Sequence, residues 1–170
     1  MRYLGVTRLL AACLIAGATL GGPVAGAGPV VEPAPGLTPR QVVEAQLDAL
    51  QHNDVPAADD GVRTAFRFAS PRNQEMTGPI DRFIRMLSAP AYAPLLNHRV
   101  HDLSDTTQVS DMARIKVTLV DSRGGQAAYV WILSRQSTPP CEGCWLTDTV
   151  LRVEVKDSPF QTAMAPEAHR

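Results

Sequence analysis

The stretch "ARIKVTLVDSRGGQAAYVWILS", residues 113–134, decides the fold of this chain. Apolar and polar side chains alternate through its first eight residues, which is the pattern of a strand with one buried face. The DSRGG run at 121–125 has the composition of a turn, and residues 126–134 are apolar on both faces. The stretch therefore predicts an antiparallel hairpin whose second strand lies inside a sheet.

Two further strands are predicted around this hairpin. RVHDLSD (99–105) reads as an edge strand, and WLTDTVLRVEV (145–155) returns to period two as the last strand. Together with the hairpin they predict an antiparallel meander in the C-terminal half.

Helical periodicity dominates the residues before the meander. Thr38 and Gln41 have the spacing of a capping box, and Pro39 stands in the first helical position. The apolar residues then recur at helical spacing until HND (52–54), so a first helix is predicted over this stretch.

Two more helices are predicted before the sheet. The second should begin with Asp54 as its cap and end at Ser70-Pro71, because the residue before proline disfavours helical backbone. Residues 71–79 are predicted as a loop, Pro79 opens a third helix, and 88–97 forms at most a short helical turn. The order of elements indicates an α+β single domain, with N-terminal helices packed on one face of a curved antiparallel sheet.

The first residues of the chain predict export. Arg2 and Arg8 precede an apolar run, and Ala25-Gly26-Ala27 has the small-x-small pattern of a signal-peptide cleavage site. The LAAC run that ends at Cys13 allows a lipoprotein alternative, although few apolar residues precede that cysteine. We expect a periplasmic or secreted protein of bacterial type, with no stable membrane insertion after cleavage.

Four segments follow from these signals. Residues 1–27 are the predicted signal peptide, 28–37 a flexible leader, 38–157 the α+β domain and 158–170 a flexible C-terminal tail. The whole chain has a formal charge of −1 and no cluster of lysines or arginines, which argues against a nucleic-acid partner.

The run AFRFASPRNQEMTGPIDRFIRMLSAPAYAPLL (65–96), followed by CWLTDTVLRV (144–153), resembles a family of small secreted bacterial proteins. That family is known only as a domain of unknown function, and the similarity covers roughly residues 39–156. The order of elements also resembles the NTF2-like or cystatin-like cone fold. This second resemblance implies no function, because the fold hosts enzymes, ligand carriers and assembly domains. The chain is short of strands between its second and third helices, which departs from the usual cone.

Cys141 and Cys144 are separated by two residues in TPPCEGCW and allow three interpretations. A redox centre would place the first cysteine at a helix N-terminus, whereas this pair leads into a strand. A zinc site would need His98 and His101 as further ligands, and residues three apart in a strand point to opposite faces. A disulfide that closes the loop between two strands is the favoured interpretation, and no metal site is predicted.

The candidate site residues are an acid, two aromatic residues and two arginines. Asp148 in the last strand is a weak catalytic candidate as a general base, against a solvent-facing position beside Arg152. Tyr129 and Trp131 share one face of their strand and are candidate ligand-binding residues. Arg67 and Arg82, which flank the predicted loop 71–79, could bind an anion or hold that loop through carbonyl groups.

These features favour a non-enzymatic binding module over an enzyme. The predicted ligand is an unknown small apolar molecule or a protein partner in the cone, with no cofactor. The alternative is a small NTF2-like enzyme of the isomerase or hydrolase type that uses Asp148. The exposed face of the sheet could also pair two copies in a homodimer.

Overall fold

The computed structural model describes residues 31–155 and 159–162. The predicted signal peptide, the first residues of the leader and most of the C-terminal tail lie outside these described residues. The helices are α1 (Pro39–Gln51), α2 (Asp60–Arg67), α3 (Pro71–Thr77), α4 (Ile80–Leu87) and α5 (Pro159–Thr162), with a 3₁₀ turn at Ala93–Leu95. The strands are β1 (Val100–Leu103), β2 (Thr107–Val109), β3 (Met112–Val120), β4 (Gln126–Arg135) and β5 (Trp145–Val153).

All strands belong to one antiparallel sheet in the order β1-β3-β4-β5, and β2 also pairs with β3. The central hairpin is present as predicted, with Thr118 opposite Ala128 across the 121–125 turn. The α+β prediction is confirmed. Strand β2 was not predicted, and its three residues are all exposed, so no hydrophobic alternation marks it.

The core lies between the helices and one face of the sheet. On β3 this face carries Ile115, Val117 and Leu119, and all three are fully buried. The opposing helical residues recur at the spacing of one helix face, so burial of these two surfaces joins the layers. The helical side of the core includes Val42, Val43, Leu47, Leu50, Val62, Ala65, Phe83 and Leu87.

Gln46 of α1 is a polar side chain inside this core, with 5% of its surface exposed. Its Oε1 accepts hydrogen bonds from Trp131 Nε1 on β4 (3.0 Å) and from Thr147 Oγ1 on β5 (2.8 Å). Its Nε2 donates to the carbonyl oxygen of Ala65 on α2 (3.0 Å). One side chain therefore links α1 to α2 and to both strands.

Gly61 allows α1 and α2 to cross at close range. A Cβ at this position would collide with the carbonyl oxygen of Ala49 and would lie 2.7 Å from Asn53 Cα. The Gly61 N–H donates to the carbonyl oxygen of Asn53 at 2.9 Å, and Asn53 Oδ1 accepts from the Val62 N–H at 3.0 Å. Asn53 thus satisfies the second and third N–H groups of α2 at the point where glycine removes the steric barrier.

The predicted start of the second helix at Asp54 is wrong, because α2 begins at Asp60. Asp54 instead holds the preceding loop: its carboxylate accepts from Asn97 Nδ2 (2.8 Å) and from the Asp59 N–H (3.2 Å). The hydrogen bond from Asn97 is the main reason that the pKa of Asp54 is lowered.

The predicted loop at 71–79 is also wrong, because residues Pro71–Thr77 form helix α3. Ser70 caps this helix, since its Oγ accepts from the Asn73 N–H at 3.3 Å, and Pro71 occupies the first helical position. The Ser-Pro pair begins α3, whereas α2 already ends at Arg67, so the prediction took a start signal for a stop signal.

Part of the predicted leader contacts the domain. Glu32 forms an ion pair with Arg67 at 3.0 Å, and the carbonyl oxygen of Pro33 lies 3.8 Å from Cys141 Sγ. Leu37 packs against the core beside α1. Among the described residues, no helix is both long enough and apolar enough to cross a bilayer.

We expect Gln46→Leu to lower the free energy of unfolding by about 3 kcal/mol, because it leaves buried partners without hydrogen bonds. Urea denaturation of the folded domain measures this loss. Gln51→Leu in the same helix is the matched control, because it removes a single bond to the Arg99 carbonyl oxygen near the surface. The control should lose about 1 kcal/mol or less. Equal losses in the two variants would contradict the role of Gln46.

Candidate functional site

A cavity of about 210 Å³ lies between the helices and strands β4 and β5. Its walls come mainly from α1, α2, α3, α4, the 3₁₀ turn and the two strands, and Ala69 and Tyr92 of the connecting segments complete them. Most of the lining is apolar: Leu50, Ala65, Ala69, Met76, Phe83, Met86, Leu87, Leu95, Trp131, Val150 and Leu151. Met76 and Leu151 are 68% and 48% exposed, which places the mouth of the cavity at α3 and the outer edge of β5.

Polar groups in the lining are bonded mainly to the protein itself. Tyr92 OH donates to the carbonyl oxygen of Val150 (3.1 Å), and Thr77 Oγ1 donates to that of Asn73 (2.7 Å). Asn73 Nδ2 in turn donates to the carbonyl oxygen of Thr147 at 3.0 Å. Together with the bonds of Gln46, these contacts leave the cavity with few free donors.

Asp148 lies in the lining of the cavity at a β-bulge of strand β5. Thr147 pairs with Leu133 and Thr149 pairs with Ile132, so Asp148 is the extra residue that has no partner across the ladder. Within the described residues, its half-buried carboxylate makes no hydrogen bond and no ion pair.

Asp148 and Arg152 fall on the same face of β5 as Val150, because the register from Thr149 to Val153 is unbroken. The alternative placed this face in solvent, whereas Val150 and Asp148 line the cavity. The two side chains form no ion pair among the described residues. Arg152 Nη1 donates instead to the carbonyl oxygen of Pro90 at 2.8 Å.

Trp131 and Tyr129 lie side by side on β4, with ring centroids 6.1 Å apart. Trp131 lines the cavity, and its indole N–H is held by Gln46. Tyr129 is fully buried behind it and is not part of the lining. Burial raises the pKa of Tyr129 to about 12, so its hydroxyl stays protonated and donates to the carbonyl oxygen of Ala91 at 2.9 Å.

Neither arginine candidate is part of the cavity lining. Arg67 is exposed, pairs with Glu32 and donates to Thr64 Oγ1 at 3.0 Å. Arg82 is exposed and lies against Gly78, where a Cβ would be 2.8 Å from its Cδ. Of the five candidates, the structure brings Asp148 and Trp131 to one cavity and leaves the other three outside it.

Gln46 and Asn73 are lining residues that the sequence reasoning missed. Gln46 falls on the apolar face of the first predicted helix, beside Val43, Leu47 and Leu50, and a polar residue in that position is the signal that could have found it. Asn73 gave no such signal, because it lies in the segment that was predicted as a loop.

The cysteine pair lies outside the cavity. Cys141 and Cys144 form a disulfide with a Cα–Cα distance of 5.5 Å, in the loop that joins β4 to β5. Cys144 is fully buried, and no helix begins at either residue. Nowhere in 31–155 or 159–162 do three or more histidine, cysteine or acidic residues form a group that could hold a metal ion.

A family model described as "Domain of unknown function (DUF4864)" matches residues 35–159. The chain belongs to this family. The match confirms the resemblance to a domain of unknown function, whereas the residue pattern that suggested it and the NTF2-like resemblance stay predictions. No curated protein and no solved structure matches the chain.

A second polar cluster in this DUF4864 domain contains two histidines on the side of β1. His98 Nε2 lies 2.8 Å from His101 Nδ1, His98 Nδ1 lies 2.8 Å from the carbonyl oxygen of Leu95, and His101 Nε2 lies 3.9 Å from Asp48 Oδ1. The prediction that the two rings point to opposite faces is wrong. His98 precedes β1, which begins at Val100, so strand alternation does not apply to it.

Burial lowers the pKa of both histidines below the ordinary value of 6.5. The carbonyl oxygen of Leu95 opposes this shift at His98, and the carboxylates of Asp48, Glu44 and Asp102 oppose it at His101. When the pH falls below the ordinary histidine pKa, the unfolded chain therefore binds protons at these two side chains that the folded domain does not yet bind. Stability should be complete above about pH 6.5 and should fall as the pH drops below it.

We expect His98→Gln to make this acid-side loss of stability shallower, because the variant removes one of the two groups that titrate differently on unfolding. Urea denaturation at a series of pH values between about 7.5 and 5 measures the slope. A wild-type domain that gains stability on acidification would contradict the proposed cause.

Proposed function

We propose that this domain is a non-enzymatic binding module that takes a small, largely apolar ligand into the cavity between its helices and strands β4 and β5. The observation that carries the proposal is the cavity itself, an apolar space of about 210 Å³ with its mouth at Met76 and Leu151.

The size of the cavity favours its interpretation as a ligand site over its interpretation as a packing defect. Protein interiors are close-packed, and voids larger than a water molecule are few. An apolar cavity of about 150 Å³ is enough to hold benzene. A cavity of about 210 Å³ therefore suits one ring with a short substituent. Two methionines, Met76 and Met86, border it and can adapt to the shape of a ligand.

The hydrogen bonds within the walls indicate that the cavity is already formed before a ligand binds. Gln46 fixes α1 against α2, β4 and β5 through three hydrogen bonds, and Asn73 fixes α3 to the backbone of β5. A pre-formed site loses little conformational entropy on binding, and this favours affinity for a small ligand.

An enzyme of the isomerase or hydrolase type is the alternative, because Asp148 offers an unpaired carboxylate at the cavity. Tyr92 is the other titratable side chain in the described lining, and its hydroxyl is already bonded to the carbonyl oxygen of Val150. A general base without a second catalytic group is weak support for catalysis, so the binding module is favoured. Turnover of a compound that binds the cavity would reverse this preference.

We expect propylbenzene to bind the domain with a dissociation constant of about 1 mM or tighter, because nine carbon atoms leave water for an apolar space. A titration followed by ¹⁵N-edited NMR measures the affinity and maps the shifted resonances. Ala65→Leu should abolish this binding, since Ala65 is a small residue of the lining and leucine would fill the space.

Ala58→Leu is the matched control, because Ala58 is exposed and lies outside the lining. Thermal unfolding of both variants establishes that they are folded. Failure of propylbenzene to bind the wild type, or equal binding to the wild type and Ala65→Leu, would overturn the proposal.

We propose further that the module works outside the cytoplasm, in the periplasm or beyond the cell. The disulfide between Cys141 and Cys144 supports this location, because such bonds persist in oxidising compartments. The export signal predicted in residues 1–27 supports it independently.

The protein recovered after export should begin at Gly28, and its mass should rise by about two protons on reduction of the disulfide. N-terminal sequencing and intact-mass spectrometry check these expectations. An N-terminus at Cys13 with an acyl modification would indicate a lipid anchor instead, and free thiols at Cys141 and Cys144 would argue against an oxidising location.

A further inference from the structure

We infer that the ligand of the cavity carries a positively charged amine, which Asp148 recognises, attached to an apolar body. This inference rests on the proposed binding function and adds the chemical class of the ligand. It follows from a balance of the donors, acceptors and charges in the described part of the lining.

The donors of the lining are largely occupied. The hydroxyl groups of Tyr92 and Thr77 donate to backbone carbonyl oxygens, and so does that of Thr149. Thr147 and Trp131 both donate to Gln46 Oε1. A ligand that needs donors, such as a carboxylate or a phosphate, finds little to bind it here.

The remaining polar capacity consists mainly of acceptors. The Asp148 carboxylate has no partner among the described residues, and Asn73 Oδ1 accepts no hydrogen bond from them. The described lining contains no lysine, arginine or histidine. Its net charge is therefore the single negative charge of Asp148, which favours a cation and disfavours an anion.

The position of Asp148 suits recognition of a ligand better than a structural role. It is the extra residue of the β5 bulge, so its side chain is not needed for cross-strand packing. Bulges occur next to functional sites because they redirect a side chain from the regular alternation. A half-buried carboxylate beside apolar walls also attracts a cation more strongly than a fully exposed carboxylate does.

Three probes of similar size separate the contributions of shape and charge. 2-Phenylethylamine is a cation at neutral pH, propylbenzene is its uncharged counterpart, and 3-phenylpropionate is an anion. Titration of the full domain should show that the amine binds about ten- to a hundredfold more tightly than propylbenzene, the gain expected of a charge-assisted hydrogen bond. The carboxylate should bind most weakly.

Asp148→Asn removes the charge at nearly constant size and should reduce the preference for the amine to within about threefold, while propylbenzene binds at least as tightly as before. Asp105→Asn is the charge-matched control, since Asp105 is exposed and lies outside the lining. It should keep the full preference. Asp148→Ala provides a second variant if the asparagine variant does not fold.

The outcomes distinguish the two proposals. If propylbenzene binds and the amine shows no preference, or if the preference survives in Asp148→Asn, the inference about the amine is overturned and the binding module stands. If propylbenzene does not bind, the binding module itself is overturned, and the inference falls with it.

Discussion

The buried amide of Gln46 is the constraint on which the arrangement of the layers depends. A polar side chain inside a core is costly unless its hydrogen bonds are made, and here the partners come from α2, β4 and β5. Apolar contacts alone would allow α1 to slide over the sheet, because burial of apolar area is not directional. The hydrogen bonds of the Gln46 amide hold α1 in a single position on the sheet. In this position Trp131 lies at the inner end of the cavity.

A second constraint fixes the outer strand. Thr147 lies opposite Leu133 in the sheet, and both its N–H and its carbonyl oxygen bond the link between α2 and α3, at Phe68 and Ser70. The carbonyl oxygen of Phe68 accepts from the Thr147 N–H at 2.8 Å, and the Ser70 N–H donates to the Thr147 carbonyl oxygen at 2.9 Å. The next residue, Asp148, leaves the ladder, so the bulge occurs where the helical layer is attached to β5.

The sequence predicted those features that depend on neighbouring residues. The alternation in 113–120 and the turn at 121–125 define the hairpin, and Thr38 with Gln41 defines the start of α1 by a bond pattern within one turn. The cysteine spacing likewise indicated a local disulfide. Helix α3 was missed because Ser70-Pro71 is both a stop and a start signal, and only the contact of Asn73 with β5 resolves the ambiguity. The cavity and the bulge could not be predicted, because each arises from contacts between residues far apart in the chain.

The apolar walls of the cavity and the charge of Asp148 would act differently on a ligand. With the cavity empty, its mouth at Met76 and Leu151 gives water access to the half-buried Asp148 carboxylate, so the unpaired charge need not destabilise the fold. A ligand that enters must replace that water. A neutral apolar molecule would gain binding free energy from the apolar walls but would lose it by removing water from the carboxylate. A cation with an apolar body would gain binding free energy at both the walls and the carboxylate. In the proposed binding module the walls would therefore provide most of the affinity, and Asp148 would provide the selection between ligands of equal shape.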